Sequence, residues 1–215
     1  KKSYMYSDLP YYFIKDYLEK QYNKSLDFQI KNKLLIDLGA NYTTYNPLDY
    51  YSKKKIVPSE IDHYFRNDTL RGVVHDMGAA MQGGVGGHAG LFSNSNDVAK
   101  IMQMYLQGGY YGGKRFFSSS TIDNFNTCYY CDNGNRRGLG FDKPQLDDSS
   151  PTCGCVPMSS FGHSGFTGTY VWADPENKIV YVFLSNRTFP TMENKMLSTY
   201  NIRTEIQRVI YESFK

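Results

Sequence analysis

The order of patterns along the chain predicts an α+β fold, an antiparallel sheet flanked by helices beside a helical region. Helical periodicities dominate the first half, short apolar runs separated by turn residues fill the second, and one amphipathic helix closes the chain. The short runs follow one another with brief turns between them, so they pair as antiparallel neighbours. The chain reads as one domain, incomplete at its N-terminus, over residues 1–215. Residues 1–135 form a mainly helical and loop region, and residues 136–215 supply sheet strands and the C-terminal helix.

The first helix starts at Ser7 or Asp8 and carries Tyr11, Phe13, Ile14, Tyr17 and Leu18 at helical spacing, with Pro10 in its first turn. A second runs from Ser25 through Phe28, Ile30, Leu34, Leu35 and Leu38 to Gly39, and residues 40–58 lack periodicity. Ser95 caps a helix with Val98, Ile101, Met102, Met104, Tyr105 and Leu106, which stops at Gly108 and Gly109. A short helix is expected over 119–125. Strands are expected over 139–141, 160–164, 169–173 and 179–185, with Asp174-Pro175-Glu176-Asn177 as the turn between the last two. The closing helix, from about Ile202 to Phe214, directs Ile202, Ile206, Val209, Ile210 and Phe214 at the sheet.

Composition excludes several classes of function. The 24 basic and 21 acidic residues are spread along the chain, so there is no basic stripe for nucleic acid. The longest apolar stretch, Ile179 to Leu184, is too short to span a bilayer. The glycine-dense segment within 73–90 has no Gly-Lys-Ser/Thr and does not read as a phosphate loop, and no cofactor is implied. His75 and His88 lack ligand spacing and read as loop braces, and the adjacent Arg136 and Arg137 are assigned to no site. The cysteines form a Cys-x-x-Cys (Cys128, Cys131) and a Cys-x-Cys (Cys153, Cys155). Two disulfides stapling a long loop are the preferred reading, with a structural zinc on the four thiolates or free thiols as alternatives and connectivity left open.

The segment Phe161-Gly162-His163-Ser164-Gly165-Phe166-Thr167-Gly168 places one histidine among glycines, which suggests a main chain that pairs with a substrate and a His163 at the mouth of that groove. Together with Tyr6-Ser7-Asp8 at a helix start and Gly-Gly-Val-Gly-Gly-His-Ala-Gly-Leu-Phe over 83–92 ahead of a helix, it resembles the serine β-lactamase and penicillin-binding-protein superfamily. The likeness is to the class C-like branch, in particular the hydrolase module found with glycoside hydrolase family 3 β-N-acetylglucosaminidases.

The resemblance implies a β-lactamase/transpeptidase-like fold and a bacterial periplasmic or extracytoplasmic amidase, esterase or peptidase acting on peptidoglycan fragments. In it Tyr6 transfers a proton, Asp8 holds the lysine of a missing Ser-x-x-Lys, His163 replaces the third-element lysine, and Ser164, Gly165 and Phe166 bind substrate, with the Phe166 N–H in the oxyanion hole. Tyr6 and His163 are thereby expected to share one cleft. Asp8 stands where many relatives have Asn and cannot donate to a lactam side-chain carbonyl when ionised, which favours a non-lactam substrate. A His163 cation would hold a substrate carboxylate less well as pH rises through neutrality. Only Ser52-Lys53-Lys54-Lys55 satisfies Ser-x-x-Lys, and it lies in a loop after the tyrosine element. The nucleophile is therefore expected upstream, in the missing part of the domain, and the chain alone is expected to be inactive. The alternative is a non-catalytic peptidoglycan- or glycan-binding module.

Overall fold

The computed structural model describes residues 4–145 and 150–214. The chain divides into two compact units, Lys1–Asp97 with Asn186–Glu193, and Val98–Ser185 with Asn194–Lys215.

In the first unit, helix α1 (Leu9–Tyr22) follows Asp8, with Pro10 in its first turn and the Leu9 N–H donated to Ser7 Oγ at 3.3 Å. It contributes no buried residue; Phe13, Ile14 and Tyr17 are all exposed. Helix α2 (Leu26–Ile30) continues through a π turn (Lys31–Leu35) into α3 (Ile36–Leu38), and Gly39 ends the run at φ 68°. Leu26, Leu35 and Leu38 are the buried apolar side of this stretch. Strands β1 (Pro58–Asp62) and β2 (Asp68–Arg71) form an antiparallel hairpin that no sequence pattern announces. The returning segment is tied to this hairpin: Thr188 Oγ1 donates to the Ser59 carbonyl (2.7 Å) and the Pro190 carbonyl accepts from the Ile61 N–H (2.9 Å). Ser52 and Lys53–Lys55 make one exposed 3-10 turn. Helix α4 (Met77–Met81) sits inside the glycine-dense segment, capped by Asp76.

Helix α5 (Ser95–Leu106) starts in the first unit and continues in the second. Its cap is Asn94, whose Oδ1 accepts the Asp97 N–H at 2.9 Å, so Ser95 already lies inside the helix. It ends as expected, with Gly108 and Gly109 at positive φ. A small hairpin, β3 (Tyr110–Tyr111) with β4 (Lys114–Arg115), precedes α6 (Ser119–Asn126), which Ser118 caps. Residues 139–141 are not a strand. The Gly138 N–H bonds the Phe141 carbonyl (2.9 Å) and closes a turn there.

The sheet has order β5 (Phe161–Ser164), β6 (Tyr170–Asp174), β7 (Ile179–Phe183), antiparallel throughout. Alternation along β6 serves two cores. Tyr170 and Trp172 join Cys153, Val156, Tyr181 and Tyr211 on one face, whereas Ala173 joins Phe161 and Met102 of α5 on the other. After α7 (Met196–Thr199), helix α8 (Ile202–Glu212) covers the first face, and of the residues its periodicity selects Ile210 packs on that core. Ile202, Ile206, Val209 and Phe214 are exposed, whereas Gln207 and Tyr211 are buried. The buried face is chosen by polar pairing: Tyr211 donates to the Asp174 carboxylate (2.5 Å), and Gln207 Oε1 accepts the Cys153 N–H (3.0 Å). Burial and then the Asp174 carboxylate push the Tyr211 phenol up, which keeps it a donor.

Both cysteine pairs are bonded locally, Cys128 to Cys131 and Cys153 to Cys155, and no free cysteine remains among the described residues. The zinc alternative on Cys128, Cys131, Cys153 and Cys155 falls, because a disulfide sulfur is not a thiolate. Neither bridge staples a long loop.

The glycines of the His163 segment answer to internal packing. A Cβ at Gly162 would lie 2.1 Å from the Val171 carbonyl oxygen and 2.3 Å from the Trp172 ring, and one at Gly165 would meet Thr169 Oγ1 at 2.2 Å. Gly162 also exchanges both main-chain bonds with Asp142 (2.8 and 3.1 Å), so its backbone is not open to a substrate. Gly162→Ala is expected to cost about 1–3 kcal/mol or more in denaturant unfolding, through overpacking against Trp172.

Lys143 is buried, its ammonium donating to the Ser159 carbonyl (2.9 Å) and Asn126 Oδ1 (3.2 Å). Burial, reinforced by Arg136, lowers its pKa from 10.5 to about 8. Between those values the unfolded chain binds more protons than the folded one, so this group makes stability rise with pH. Unfolding titrations from about pH 8 to 10 should show wild type gaining on Lys143→Met across that window. A pH-independent difference would contradict the assignment.

Candidate active site

In the first unit the Tyr6-Ser7-Asp8 element stands at the start of α1. Tyr6 is exposed. Asp8 occupies the N-cap position, but its side chain makes no capping bond. Its carboxylate instead faces Asp76 and His88, with one ligand-type atom from each of the three residues lying within 4.8 Å of the others.

Asp76 Oδ1 accepts the Ala79 N–H and faces His88 Nε2, each at 2.7 Å. Burial raises the Asp76 pKa, yet the Ala79 N–H and the imidazole outweigh it, and the net shift is below the ordinary carboxylate range. Tyr12, one turn after Asp8, lays its ring on His88 with centroids 4.9 Å apart. Desolvation, then Asp76 and Asp8, push the Tyr12 phenol up. His88 is almost fully buried, at 6% side-chain exposure, and its Nδ1 has no hydrogen-bond partner. Among the described residues this is the one group whose donor set could hold a metal ion, although Asp76 and His88 already satisfy each other directly. His75 pairs with Glu60 at 2.8 Å, the loop-bracing role expected of it.

In the second unit His163 lies on β5 beside Val171 of β6, on the sheet face that α5 covers. Its Nδ1 meets the Ser164 carbonyl at 2.8 Å and therefore carries the proton. Its Nε2 is 3.2 Å from Arg137 Nη1, and because a guanidinium can only donate, Nε2 accepts. Arg137 Nη2 is also 2.5 Å from Asp142 Oδ1, and Asp142 Oδ2 is 4.0 Å from His163 Nε2. Bridges Arg137↔Asp142 and Asp142↔Gly162 fix both residues alongside β5. The permanent positive charge beside His163 is therefore Arg137.

Sequence reasoning set Arg137 aside because adjacent arginines point apart. They do separate: Arg136 Nε donates to the Pro144 carbonyl while Arg137 turns to His163. The missed signal is Asp142, five residues after Arg137, across a turn containing Gly138 and Gly140 that lets the two pair. Ser164 ends β5, and Phe166 lies in the β5–β6 turn with an exposed ring.

A family model described as Beta-lactamase matches residues 1–204. A protein of Escherichia coli (strain K12) named "Putative D-alanyl-D-alanine carboxypeptidase" is 34% identical over 197 residues, covering 86% of this chain and 45% of that protein. One of the same name from Salmonella enteritidis PT4 is 32% identical over 204 residues, covering 89% and 47%. The chain thus spans about half the length of the curated relatives it matches. Among solved structures, a β-lactamase from Mycobacterium bovis has a TM-score of 0.59 at 16% identity, covering 91% of this chain and 64% of that one. A penicillin-binding protein homologue from Caulobacter crescentus has a TM-score of 0.59 at 15% identity, covering 86% and 53%. These structural likenesses establish the fold, and the family match over nearly the whole sequence establishes that the chain belongs to the Beta-lactamase family.

Proposed function

We propose that the chain carries the proton-transfer and substrate-carboxylate elements of a serine hydrolase that cleaves amide or ester bonds in peptidoglycan-derived peptides. The observation that carries the reading is Arg137, a cation held by Asp142 beside His163 on the Gly-His-Ser-Gly strand. A guanidinium so oriented suits the free carboxylate of a peptide terminus. The carboxypeptidase name of the relatives supports the same substrate class. The two disulfides suit an oxidising, extracytoplasmic compartment, and a fused family 3 glycoside hydrolase would place the reaction in cell-wall recycling.

In this mechanism a serine hydroxyl from sequence outside the chain attacks the scissile carbonyl, and its proton passes through the Tyr6 phenolic oxygen to the leaving amine. The acyl-enzyme is then hydrolysed by water. The Phe166 N–H is assigned one of the two oxyanion bonds. Asp8 supports the upstream lysine. The only Ser-x-x-Lys present is the exposed turn at Ser52, so the chain by itself is inactive under this reading.

The test uses the full-length protein and a peptide ending in D-alanyl-D-alanine, with D-alanine release as readout. Arg137→Ala should raise KM for this peptide by about 10- to 100-fold and leave hydrolysis of a neutral ester within about twofold. Failure of a fluorophosphonate to label any serine would favour the non-catalytic binding module.

A further inference from the structure

We propose that Asp142 is a positioning residue whose carboxylate holds the Arg137 guanidinium in one orientation beside His163, and that the reach of this side chain matters more than its charge. The inference deepens the assignment of Arg137 to substrate-carboxylate recognition and rests on it.

The place of Asp142 is set by its main chain. Its N–H donates to the Gly162 carbonyl at 2.8 Å, and its carbonyl accepts the Gly162 N–H at 3.1 Å. The turn that joins it to Arg137 is closed by the Gly138 N–H on the Phe141 carbonyl (2.9 Å) and the Lys143 N–H on the Arg136 carbonyl (3.1 Å). A Cβ at Gly138 would lie 2.5 Å from the Phe125 carbonyl oxygen, so the turn sits tightly on the end of α6. The Phe141 ring packs between Tyr105 and Phe161, with centroids 5.2 and 5.0 Å away. None of these anchors uses the Asp142 carboxylate, and all of them survive its replacement.

The carboxylate is turned to Arg137 instead. Oδ1 lies 2.5 Å from Nη2, while Nη1 lies 3.2 Å from His163 Nε2. A planar guanidinium met at both terminal nitrogens has its plane and its direction fixed. Without Asp142 the arginine would lose rotamer freedom at each binding event, a cost that pre-organisation removes. Asparagine offers the same oxygen at the same reach without the charge, whereas glutamate keeps the charge and adds a methylene. The two substitutions therefore separate position from charge.

The test uses the full-length protein and the peptide ending in D-alanyl-D-alanine. Asp142→Ala should raise KM by about 5- to 50-fold with kcat within about threefold of wild type. Asp142→Asn should keep KM within about threefold of wild type, and Asp142→Glu should behave like the alanine variant. Combining Asp142→Ala with Arg137→Ala should be no worse than Arg137→Ala alone, because Asp142 acts through the arginine. An unchanged KM in Asp142→Ala, rescue by glutamate and not by asparagine, or additive losses in the double variant would overturn the proposal. Should Arg137→Ala itself leave KM untouched, the carboxylate reading fails. Rotation of the Arg137 guanidinium, followed by NMR exchange between its Nη1 and Nη2 signals, still decides whether Asp142 holds it: slow in wild type and Asp142→Asn, fast in Asp142→Ala. Equal rates in wild type and Asp142→Ala would show that it does not.

Discussion

Strict alternation along one strand organises the second unit. From Tyr170 to Asp174, β6 sends Tyr170, Trp172 and Asp174 to the α8 side and Val171 and Ala173 to the α5 side. A one-residue slip would exchange the two sets, placing a buried carboxylate among Met102 and Phe161 and leaving Tyr211 without its acceptor. Register passes from β6 to β5: Gly162 lies opposite Trp172, and His163 opposite Val171. The indole that fills the α8-side core thereby demands a glycine beneath it and sets the next residue, the histidine, on the other face beside Arg137. Core packing and site geometry are here one constraint.

Much of this was legible in the sequence. Helices α1, α5 and α8 and strands β5, β6 and β7 follow from apolar spacing and turn residues, because each is long enough or sharply enough bounded for its period to show. The hairpin of β1 and β2 was not legible. Pro-Ser-Glu-Ile-Asp and Asp-Thr-Leu-Arg hold one aliphatic residue each and owe part of their order to bonds from residues 188–192, which no local pattern can reveal. Apart from Ile210, the buried face of α8 was misread for a related reason. Periodicity ranks residues by hydrophobicity, whereas Gln207 and Tyr211 are drawn inward by a main-chain N–H and a buried carboxylate that must be paired.

The site residues divide in the same way. Tyr6, Asp8 and His163 came from motif and resemblance, and the structure gives Asp8 and His163 defined charged neighbours. Of those neighbours only His88 lies in a quoted motif, the glycine-dense stretch over 83–92, and Arg137, Asp142 and Asp76 had none. What marks them is compensation: Arg137 stands with Asp142, and His88 with Asp76 and Asp8. Charge in a partly buried setting requires a partner, and that partner comes from another turn of chain, beyond the reach of a short pattern.

The two clusters meet the cost of burying polar groups in different ways. Asp76 accepts the Ala79 N–H and pairs with His88 at 2.7 Å, and the carboxylate of Asp8, from the start of α1, lies within 4.8 Å of both. Beside His163 the pairing runs through Arg137, whose Nη2 meets Asp142 while its Nη1 meets His163 Nε2, and the Ser164 carbonyl meets Nδ1. In the first cluster a motif residue is added to a pair made within the glycine-dense segment, whereas in the second the motif residue is itself hydrogen-bonded on both ring nitrogens. The orientation of His163 is therefore set by its neighbours, and that of Asp8 by the start of its helix.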